Sequence, residues 1–245
     1  MLVSELTAFL TSFFNTVRYP PDEQGGVYER PNAAASDRPL HRLGLALEPG
    51  PDLPAWLHEN RIDALWLHRP WQLDPSVLPP DFPVLFHHLP FDEHLTIGYN
   101  HPLADALGMS WTATRIPEVL GTKQAPGFPV RPIGMIGPVV ELDFTGWCHR
   151  IAEQFGGYDE AKAGHQNRPE RIAVVGAMND ALVREAAARG AGLYVTGQYR
   201  KSAQKAVDET GMAVLAVGHR RSEEWGLRML AEILRNHGFV ALVTP

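Results

Sequence analysis

The organisation of the chain is clearest between residues 171 and 217, which read RIAVVGAMNDALVREAAARGAGLYVTGQYRKSAQKAVDETGMAVLAV. In this stretch, three short apolar runs alternate with two longer segments of helical character. The apolar runs are 171–176, 193–195 and 213–217, and the helical segments are 179–189 and 201–209. Short strands that alternate with helices are typical of crossover units in a largely parallel sheet. The stretch therefore predicts an α/β fold.

The rest of the chain continues this alternation. A long helix is predicted over 222–236, ended by Gly238, and a last strand over 239–243. In the first half, the predicted strands are 43–47, 62–67 and 84–86, and a helix is predicted over 102–107. We therefore predict two interlinked α/β halves with largely parallel or mixed sheets. The predicted halves are residues 1–120 and 121–245, with the join inside the Pro- and Gly-rich residues 114–132.

Composition and charge exclude several classes of protein. The chain is 44% hydrophobic with a formal net charge of −6, so it lacks the basic excess of nucleic-acid-binding proteins. We expect no nucleic-acid partner, although a local anion site stays open. Cys148 is the only cysteine, so neither an intrachain disulfide nor a zinc site made of several thiolates can form.

The N-terminal segment is predicted to be an amphipathic helix and not a signal peptide, because it has no basic region and carries Glu5 early. No apolar run approaches the ~18 residues that a membrane span needs. We therefore expect no membrane partner and a cytoplasmic location.

Histidines follow three of the predicted strands. They are His68, His88 and His219. In open α/β sheets, ligands bind beyond the carboxyl ends of strands, so we expect these three side chains to share one rim. The neighbouring His87 is predicted to face outwards and is not included.

Two of these histidines have a carboxylate four residues later, Asp92 after His88 and Glu223 after His219. Imidazole and carboxylate together suit Zn, Mn, Fe or Ni. Pro90 predicts that His88 and Asp92 converge through a turn and not through a helix. The predicted metal ligands are His68, His88, Asp92, His219 and Glu223.

Each of these residues also has a structural alternative. Glu223 could be favoured by the dipole of the helix in which it lies. Asp92 could cap the next element, and His68 alone could be a packed core residue. Other catalytic motifs are absent from the sequence: it contains neither a Gly-x-Ser-x-Gly elbow nor a phosphate-binding Gly-x-x-x-x-Gly-Lys-Ser/Thr loop.

These segments resemble motifs of the Nif-three-like family, the dinuclear metal-centre hexameric proteins. The family motif Gly-His-x-x-Ser-Glu is matched fully by residues 218–223, and the family's His-Thr-x-x-Asp is similar to residues 88–92. Further similar segments are Leu67-His68-Arg69-Pro70 (His-His-Pro in the family), Gly98-Tyr99-Asn100 (Gly-x-Asn) and Thr196-Gly197-Gln198 (Thr-Gly-Asp).

The resemblance implies a two-part α/β subunit, a homohexamer and a paired metal centre with one or two divalent ions per chain. It also implies an activity like that of GTP cyclohydrolase type 2 homologues, with a purine nucleotide as substrate. Two positions depart from the pattern: Arg69 replaces a ligand histidine, and Gln198 replaces an aspartate. Arginine stays protonated and cannot bind metal. One metal position is therefore expected to be weakened or lost, or else Arg69 binds an anionic group of the substrate.

The predicted function is a metal-dependent hydrolase of a small phosphorylated or nucleotide-like substrate. Glu223, as a carboxylate bridging two metals, and Arg69 are the candidate catalytic residues, and the sequence identifies no general base. One alternative is a non-catalytic, regulatory metal-binding assembly. Another is a nucleotide binder without metal that uses the strand-to-helix turn after Gly176.

Overall fold

The computed structural model describes residues 2–29, 37–110 and 117–245. The chain forms two compact units, and it leaves the first unit for the second before returning to the first. The first unit comprises Met1–Phe91, Gly127–Pro129 and Leu227–Pro245, and the second comprises Asp92–Pro126 and Val130–Gly226. The α/β class and the interlinked course of the chain agree with the prediction from sequence. Of the predicted join, residues 114–116 lie outside the described part.

Helices and strands alternate along most of the described residues. The helices are α1 (Val3–Phe13), α2 (Leu53–Glu59), α3 (Leu89–Leu95), α4 (His101–Ala106), α5 (Phe144–Phe155), α6 (Asp180–Ala188), α7 (Gln204–Thr210) and α8 (His219–Asn236). The strands are β1 (Gly26–Val27), β2 (Arg42–Ala46), β3 (Ala64–Leu67), β4 (Val84–Phe86), β5 (Glu118–Val119), β6 (Thr122–Lys123), β7 (Arg131–Pro132), β8 (Gly134–Pro138), β9 (Glu160–Lys162), β10 (Arg171–Val175), β11 (Leu193–Thr196), β12 (Ala213–Ala216) and β13 (Val240–Val243). In the part of the chain that the structure describes, no helix combines the length and apolar character needed to cross a lipid bilayer.

The first unit contains a mixed sheet with the strand order β1-β4-β3-β2-β13. Strands β4, β3, β2 and β13 run parallel, and β1 lies antiparallel to β4. All four residues of β3 are buried, as is usual for an inner strand of a parallel sheet. The apolar core of this unit includes Leu57, Ile62, Leu65, Phe82 and Val84.

The second unit contains the strand order β5-β8-β10-β11-β12-β9. The inner strands β10, β11 and β12 are parallel, as the stretch 171–217 predicts, and the strands on either side of them are antiparallel. The side chain of Asn179 accepts a hydrogen bond from the backbone N–H of Leu182 and so begins α6. The core of this unit includes Ile136, Val175, Leu182, Tyr194 and Val207.

Two helix boundaries differ from the sequence prediction. The last helix begins at His219 and not at Ser222. Ser222 lies inside its first turn, where the hydroxyl donates to the His219 carbonyl at 2.7 Å. The helix predicted over 201–209 opens as a short 3₁₀ turn, Lys201–Ala203, before α7. Both differences shift a helix boundary by about one turn and leave the order of the elements unchanged.

The prediction that three histidine-ended strands share one rim is wrong. Strands β3 and β4, which precede His68 and His88, are parallel neighbours in the first sheet. Strand β12, which precedes His219, belongs to the second sheet. The period of an apolar run indicates a strand but does not determine which strands pair, so the sequence could not separate the two sheets.

Candidate metal centre

His68 lies directly beyond the end of β3 and is fully buried. Its Nδ1 atom is 3.2 Å from the backbone carbonyl oxygen of His87. Since a carbonyl oxygen only accepts hydrogen bonds, Nδ1 must carry the proton and donate it. In the tautomer that carries its proton on Nδ1, the ring has its lone pair on Nε2. A backbone carbonyl that fixes the tautomer in this way is a common partner of metal-binding histidines.

His88 and Asp92 are brought together by α3, which begins at Leu89 directly after His88. The expectation that Pro90 prevents a helix between them is wrong. Pro90 is the second residue of α3, and proline is tolerated in the first turn because the backbone N–H it lacks would have no partner inside the helix. The helix places Asp92 one turn beyond His88, so the four-residue spacing brings the two side chains to the same side.

His68, His88 and Asp92 form a group that could hold a metal ion. Each offers one ligand atom, and these atoms all lie within 4.8 Å of one another. Ligands around a tetrahedral zinc ion with bonds of about 2.1 Å are about 3.4 Å apart, so the longest separation would shorten by up to about 1.4 Å on binding. His68 is buried whereas His88 and Asp92 are partly exposed, so the group is reachable from solvent.

Aromatic rings pack against both histidines of this group. The ring centroids of His68 and His88 are 4.9 Å apart, and the Phe91 ring lies 4.8 Å from His68. Phe91 is fully buried on α3, one residue before Asp92. The donor set, two imidazoles and one carboxylate, is that of sites for Zn, Mn, Fe or Ni that keep positions open for water or substrate.

His87 is a core residue, which corrects the prediction that it faces outwards. It is fully buried, and its Nδ1 accepts a hydrogen bond from Trp66 Nε1 at 3.1 Å. Burial lowers the pKa of His87 to about 3, so its ring is neutral at physiological pH. Its carbonyl, which orients His68, is its contribution to the metal group. Strand β4 ends at Phe86, so the alternation of inward and outward side chains along a strand no longer applies at His87. Extending it to His87 therefore predicts the wrong side for this residue.

His219 and Glu223 form their own pair in the first turns of α8. Nε2 of His219 lies 3.0 Å from Oε1 of Glu223, whose side chain is 2% exposed against 65% for His219. The pair has the i, i+4 spacing of side chains on one helix face. Their membership in a metal site stays a prediction, and so does a bridging role for Glu223.

Arg69, which replaces a ligand histidine of the family motif, makes an ion pair with Glu48. Its Nη1 donates to Glu48 Oε1 at 2.9 Å, and the two side chains are 20% and 48% exposed. Gln198, the second departure from the motif, is exposed beyond the end of β11. A cationic group therefore stands directly after His68 in the chain, where the family pattern has a second imidazole.

The segment Gly98-Tyr99-Asn100 joins α3 to α4. The side chain of Asn100 accepts from the backbone N–H of Leu103 at 3.1 Å and donates to the Thr96 carbonyl at 3.0 Å. A Cβ at Gly98 would lie 2.9 Å from the Glu93 carbonyl oxygen, so only glycine fits there without a shift. This segment therefore secures the end of the helix that supplies Asp92.

Two features near the metal group were missed by sequence reasoning. Trp71 is 58% exposed and packs edge-to-face against His88, with ring centroids 5.1 Å apart. Arg131 and Glu93 form a buried ion pair at 2.9 Å. Trp71 stands close to His68 in the sequence, which is a signal that could have been used. No sequence pattern pairs Glu93 with a residue as distant as Arg131.

The fold and this group define an α/β protein with a histidine–carboxylate cluster beyond the ends of two adjacent parallel strands. Comparison with known proteins places the chain more narrowly. It belongs to the Duf34/NIF3 (NGG1p interacting factor 3) family, whose model matches residues 77–243. The resemblance seen in the motifs is thereby confirmed.

Relatives in sequence carry a common name, "GTP cyclohydrolase 1 type 2 homolog". The one from Neisseria meningitidis serogroup B is 27% identical over 198 residues, which cover 74% of this chain and 63% of that protein. The one from Deinococcus radiodurans is 25% identical over 241 residues, which cover 93% of this chain and 86% of that protein. The match to the Neisseria relative thus spans less than two thirds of its length.

Solved structures share the fold along the whole chain. The crystal structure of TTHA1606 from Thermus thermophilus has a TM-score of 0.71 at 19% identity and covers 100% of this chain and 98% of its own. Reduced HcgD from Methanocaldococcus jannaschii has a TM-score of 0.72 at 17% identity, with 99% and 96% covered. At such identities the likeness establishes the fold alone.

Proposed function

We propose that this chain binds a divalent metal ion at His68, His88 and Asp92 and hydrolyses a small phosphorylated or nucleotide-like substrate there. The observation that carries the proposal is the convergence of three ligand atoms within 4.8 Å. The name of the relatives, "GTP cyclohydrolase 1 type 2 homolog", supports a nucleotide-like substrate. The donor set favours Zn, Mn, Fe or Ni over ions that prefer oxygen ligands only.

We further propose one or two ions per chain. His219 and Glu223 would add ligands to a second position, as the family motif implies. Arg69 carries a permanent positive charge where that motif has an imidazole, so it opposes a second ion. The proposed assembly is a homohexamer, by resemblance to the family.

A divalent ion held by His68, His88 and Asp92 would supply Lewis-acid chemistry for the activation of water and the polarisation of the bond under attack. The protein itself contributes orientation of a ligand: the His87 carbonyl accepts a hydrogen bond from Nδ1 of His68, which leaves Nε2 of that ring to hold the ion. Asp92 contributes negative charge that offsets the charge of the ion. Glu223, buried and in contact with His219, is the candidate bridging carboxylate.

Arg69 gives the site a candidate for recognising anions. Its guanidinium forms a half-exposed pair with Glu48, and a phosphate group of a substrate would compete for the same donors. A guanidinium can bind phosphate through two parallel hydrogen bonds. The substrate class therefore includes an anionic group near the metal.

A second candidate function is a non-catalytic metal-binding assembly with a regulatory role. The specific observation in its favour is Arg69, which replaces a ligand histidine of the family motif. With one ligand fewer the site holds a second ion less readily, and hydrolysis by paired ions needs two. Both candidate functions share the His68/His88/Asp92 site and differ in turnover.

Turnover separates these candidates. Metal-free protein would be loaded in turn with Zn, Mn, Fe and Ni and tested for hydrolysis of GTP, GMP and p-nitrophenyl phosphate. We expect turnover with at least one ion, its loss in Asp92→Asn, and its retention in Asp180→Asn. Asp180 is a matched control because it also lies in the first turn of a helix. Retained metal with no turnover on any of these substrates would contradict the hydrolase and support the assembly.

A further inference from the structure

Trp71 exposes an unusually large aromatic surface beside the candidate metal ligands. Its side chain is 58% exposed, and its ring meets the His88 ring at an interplanar angle of 79° with centroids 5.1 Å apart. Tryptophan is highly buried on average in folded proteins, so an exposed indole beside candidate metal ligands is informative.

The indole is held in place by an anchored turn. The backbone N–H of Leu73 donates to the Pro70 carbonyl at 2.9 Å, which closes a turn with Trp71 and Gln72 at its tip. Pro70 and Leu73 are buried on either side of the tip. Because both ends of the turn are fixed, Trp71 is presented to solvent with little freedom to lose on binding a ligand.

Polar side chains are exposed close to Trp71 in this segment, together with Pro75 and Val77. Gln72, Asp74 and Ser76 are exposed, and hydrogen bonds from Ser76 hold the pKa of Asp74 below its ordinary value, so it is charged. The cores of protein interfaces are depleted in charged residues. An exposed indole with amide and charged side chains as close neighbours therefore suits a small planar ligand better than the core of a subunit interface.

We propose that Trp71 is a stacking platform for a planar heteroaromatic ring, such as a nucleobase, of a ligand whose other end reaches the His68/His88/Asp92 group. This inference rests on the proposed function and identifies the residue that selects a base-containing substrate. Stacking of a base on an aromatic side chain contributes about 1–3 kcal/mol. The contact of Trp71 with His88 places the platform directly beside a ligand of the proposed metal ion.

The test compares two probes on metal-loaded protein: GMP, which has a base, and ribose 5-phosphate, which lacks one. Dissociation constants would be measured by titration calorimetry for wild type, Trp71→Phe and Trp71→Ala. We expect Trp71→Ala to weaken GMP binding by about 5- to 150-fold, as the loss of one stacked base predicts. Trp71→Phe should lose much less, and ribose 5-phosphate should bind all three proteins equally. Val77→Ala, another exposed apolar position of the same segment, is the matched control.

Several outcomes would overturn this inference. They are equal GMP affinity in wild type and Trp71→Ala, equal weakening of both probes, and no measurable GMP binding by wild type. A change in sedimentation coefficient in Trp71→Ala without a change in GMP affinity would show that a second copy of the chain covers the indole. Metal content is measured alongside: a wild-type protein that holds metal but fails the GMP test leaves the metal site standing, whereas a metal-free wild type removes the proposed function itself.

Discussion

Arg131 holds Glu93 in a buried ion pair on the helix that also supplies Asp92. Nε of Arg131 donates to Oε2 of Glu93 at 2.9 Å and Nη2 to Oε1 at 3.4 Å, in side chains that are 6% and 8% exposed. Successive residues of a helix point about 100° apart, so Asp92 and Glu93 face different surroundings. The ion pair therefore restrains the rotation of α3 without using the face that carries Asp92.

Breaking this ion pair is predicted to destabilise the protein strongly. Removal of one partner deprives the other buried charge of this ion pair, and breaking a buried pair typically costs about 3–5 kcal/mol. Glu93→Gln and Arg131→Met should each lower the free energy of unfolding by this amount in urea denaturation. The double variant should lose less than the sum of the two single variants, because it leaves no lone charge. A cost below about 1 kcal/mol for both single variants would show that the pair contributes little.

Gly98→Ala is predicted to disturb α3 from its C-terminal side. The added Cβ would lie 2.9 Å from the Glu93 carbonyl oxygen, so the backbone must shift. We expect a loss of about 1–3 kcal/mol in stability, as for other overpacked sites, together with weaker metal binding. Gly50→Ala is the control, since a Cβ there meets nothing within 4 Å. Equal thermal midpoints and equal metal affinities for the two variants would refute the close-approach argument.

Arg69→His is predicted to increase the amount of metal bound. The substitution removes a permanent positive charge and restores the imidazole of the family motif. It also removes the ion pair with Glu48, which is partly exposed and contributes at most about 1 kcal/mol. Calorimetric titration with Zn should therefore show tighter binding or a further equivalent per chain. Unchanged metal stoichiometry and unchanged metal affinities in Arg69→His would contradict the hypothesis that Arg69 weakens one metal position.

Glu118 is predicted to give a small pH-dependent contribution to stability. Hydrogen bonds from Arg171 and Arg189 hold its pKa below the ordinary value. A carboxylate with a lowered pKa in the folded state stabilises the protein above its unfolded pKa, and this contribution is lost as the pH falls through the folded pKa. Glu118→Gln should therefore be less stable than wild type by about 0.5–1 kcal/mol at pH 7, since the group is largely exposed. The difference should shrink below about pH 4.

Chemical denaturation at a series of pH values would check this contribution. Glu153→Gln, at an exposed position of α5, serves as the control and should follow wild type throughout. A difference between wild type and Glu118→Gln that stays constant down to acid pH would contradict the assigned cause.

Much of the fold was predictable because its strands are short, apolar and followed by clear turn or cap residues. The strand predicted over 84–86 is β4, and the helix predicted from residue 179 begins where the Asn179 side chain caps it. The strands of the stretch 171–217 pair in parallel as predicted. These features depend on local chemistry, which the sequence states directly.

The candidate site was only partly predictable. His68, His88 and Asp92 converge because β3 and β4 are parallel neighbours and α3 follows directly. The sequence misassigned the strand of His219 because sheet membership depends on pairing between distant residues. It also misjudged His87, since the strand period no longer holds beyond Phe86. The Glu93–Arg131 pair is a tertiary contact with no local signature.

Metal content per chain is the decisive measurement for a metal site at His68, His88 and Asp92. Elemental mass spectrometry would be applied to wild type and Asp92→Asn, both purified without chelator and then exposed to Zn, Mn and Ni. Asp92→Asn keeps the shape of the side chain and removes its charge. We predict at least one equivalent of metal in wild type and a clear loss in Asp92→Asn. Near-zero metal in wild type, or equal metal in both proteins, would contradict a metal site at His68, His88 and Asp92.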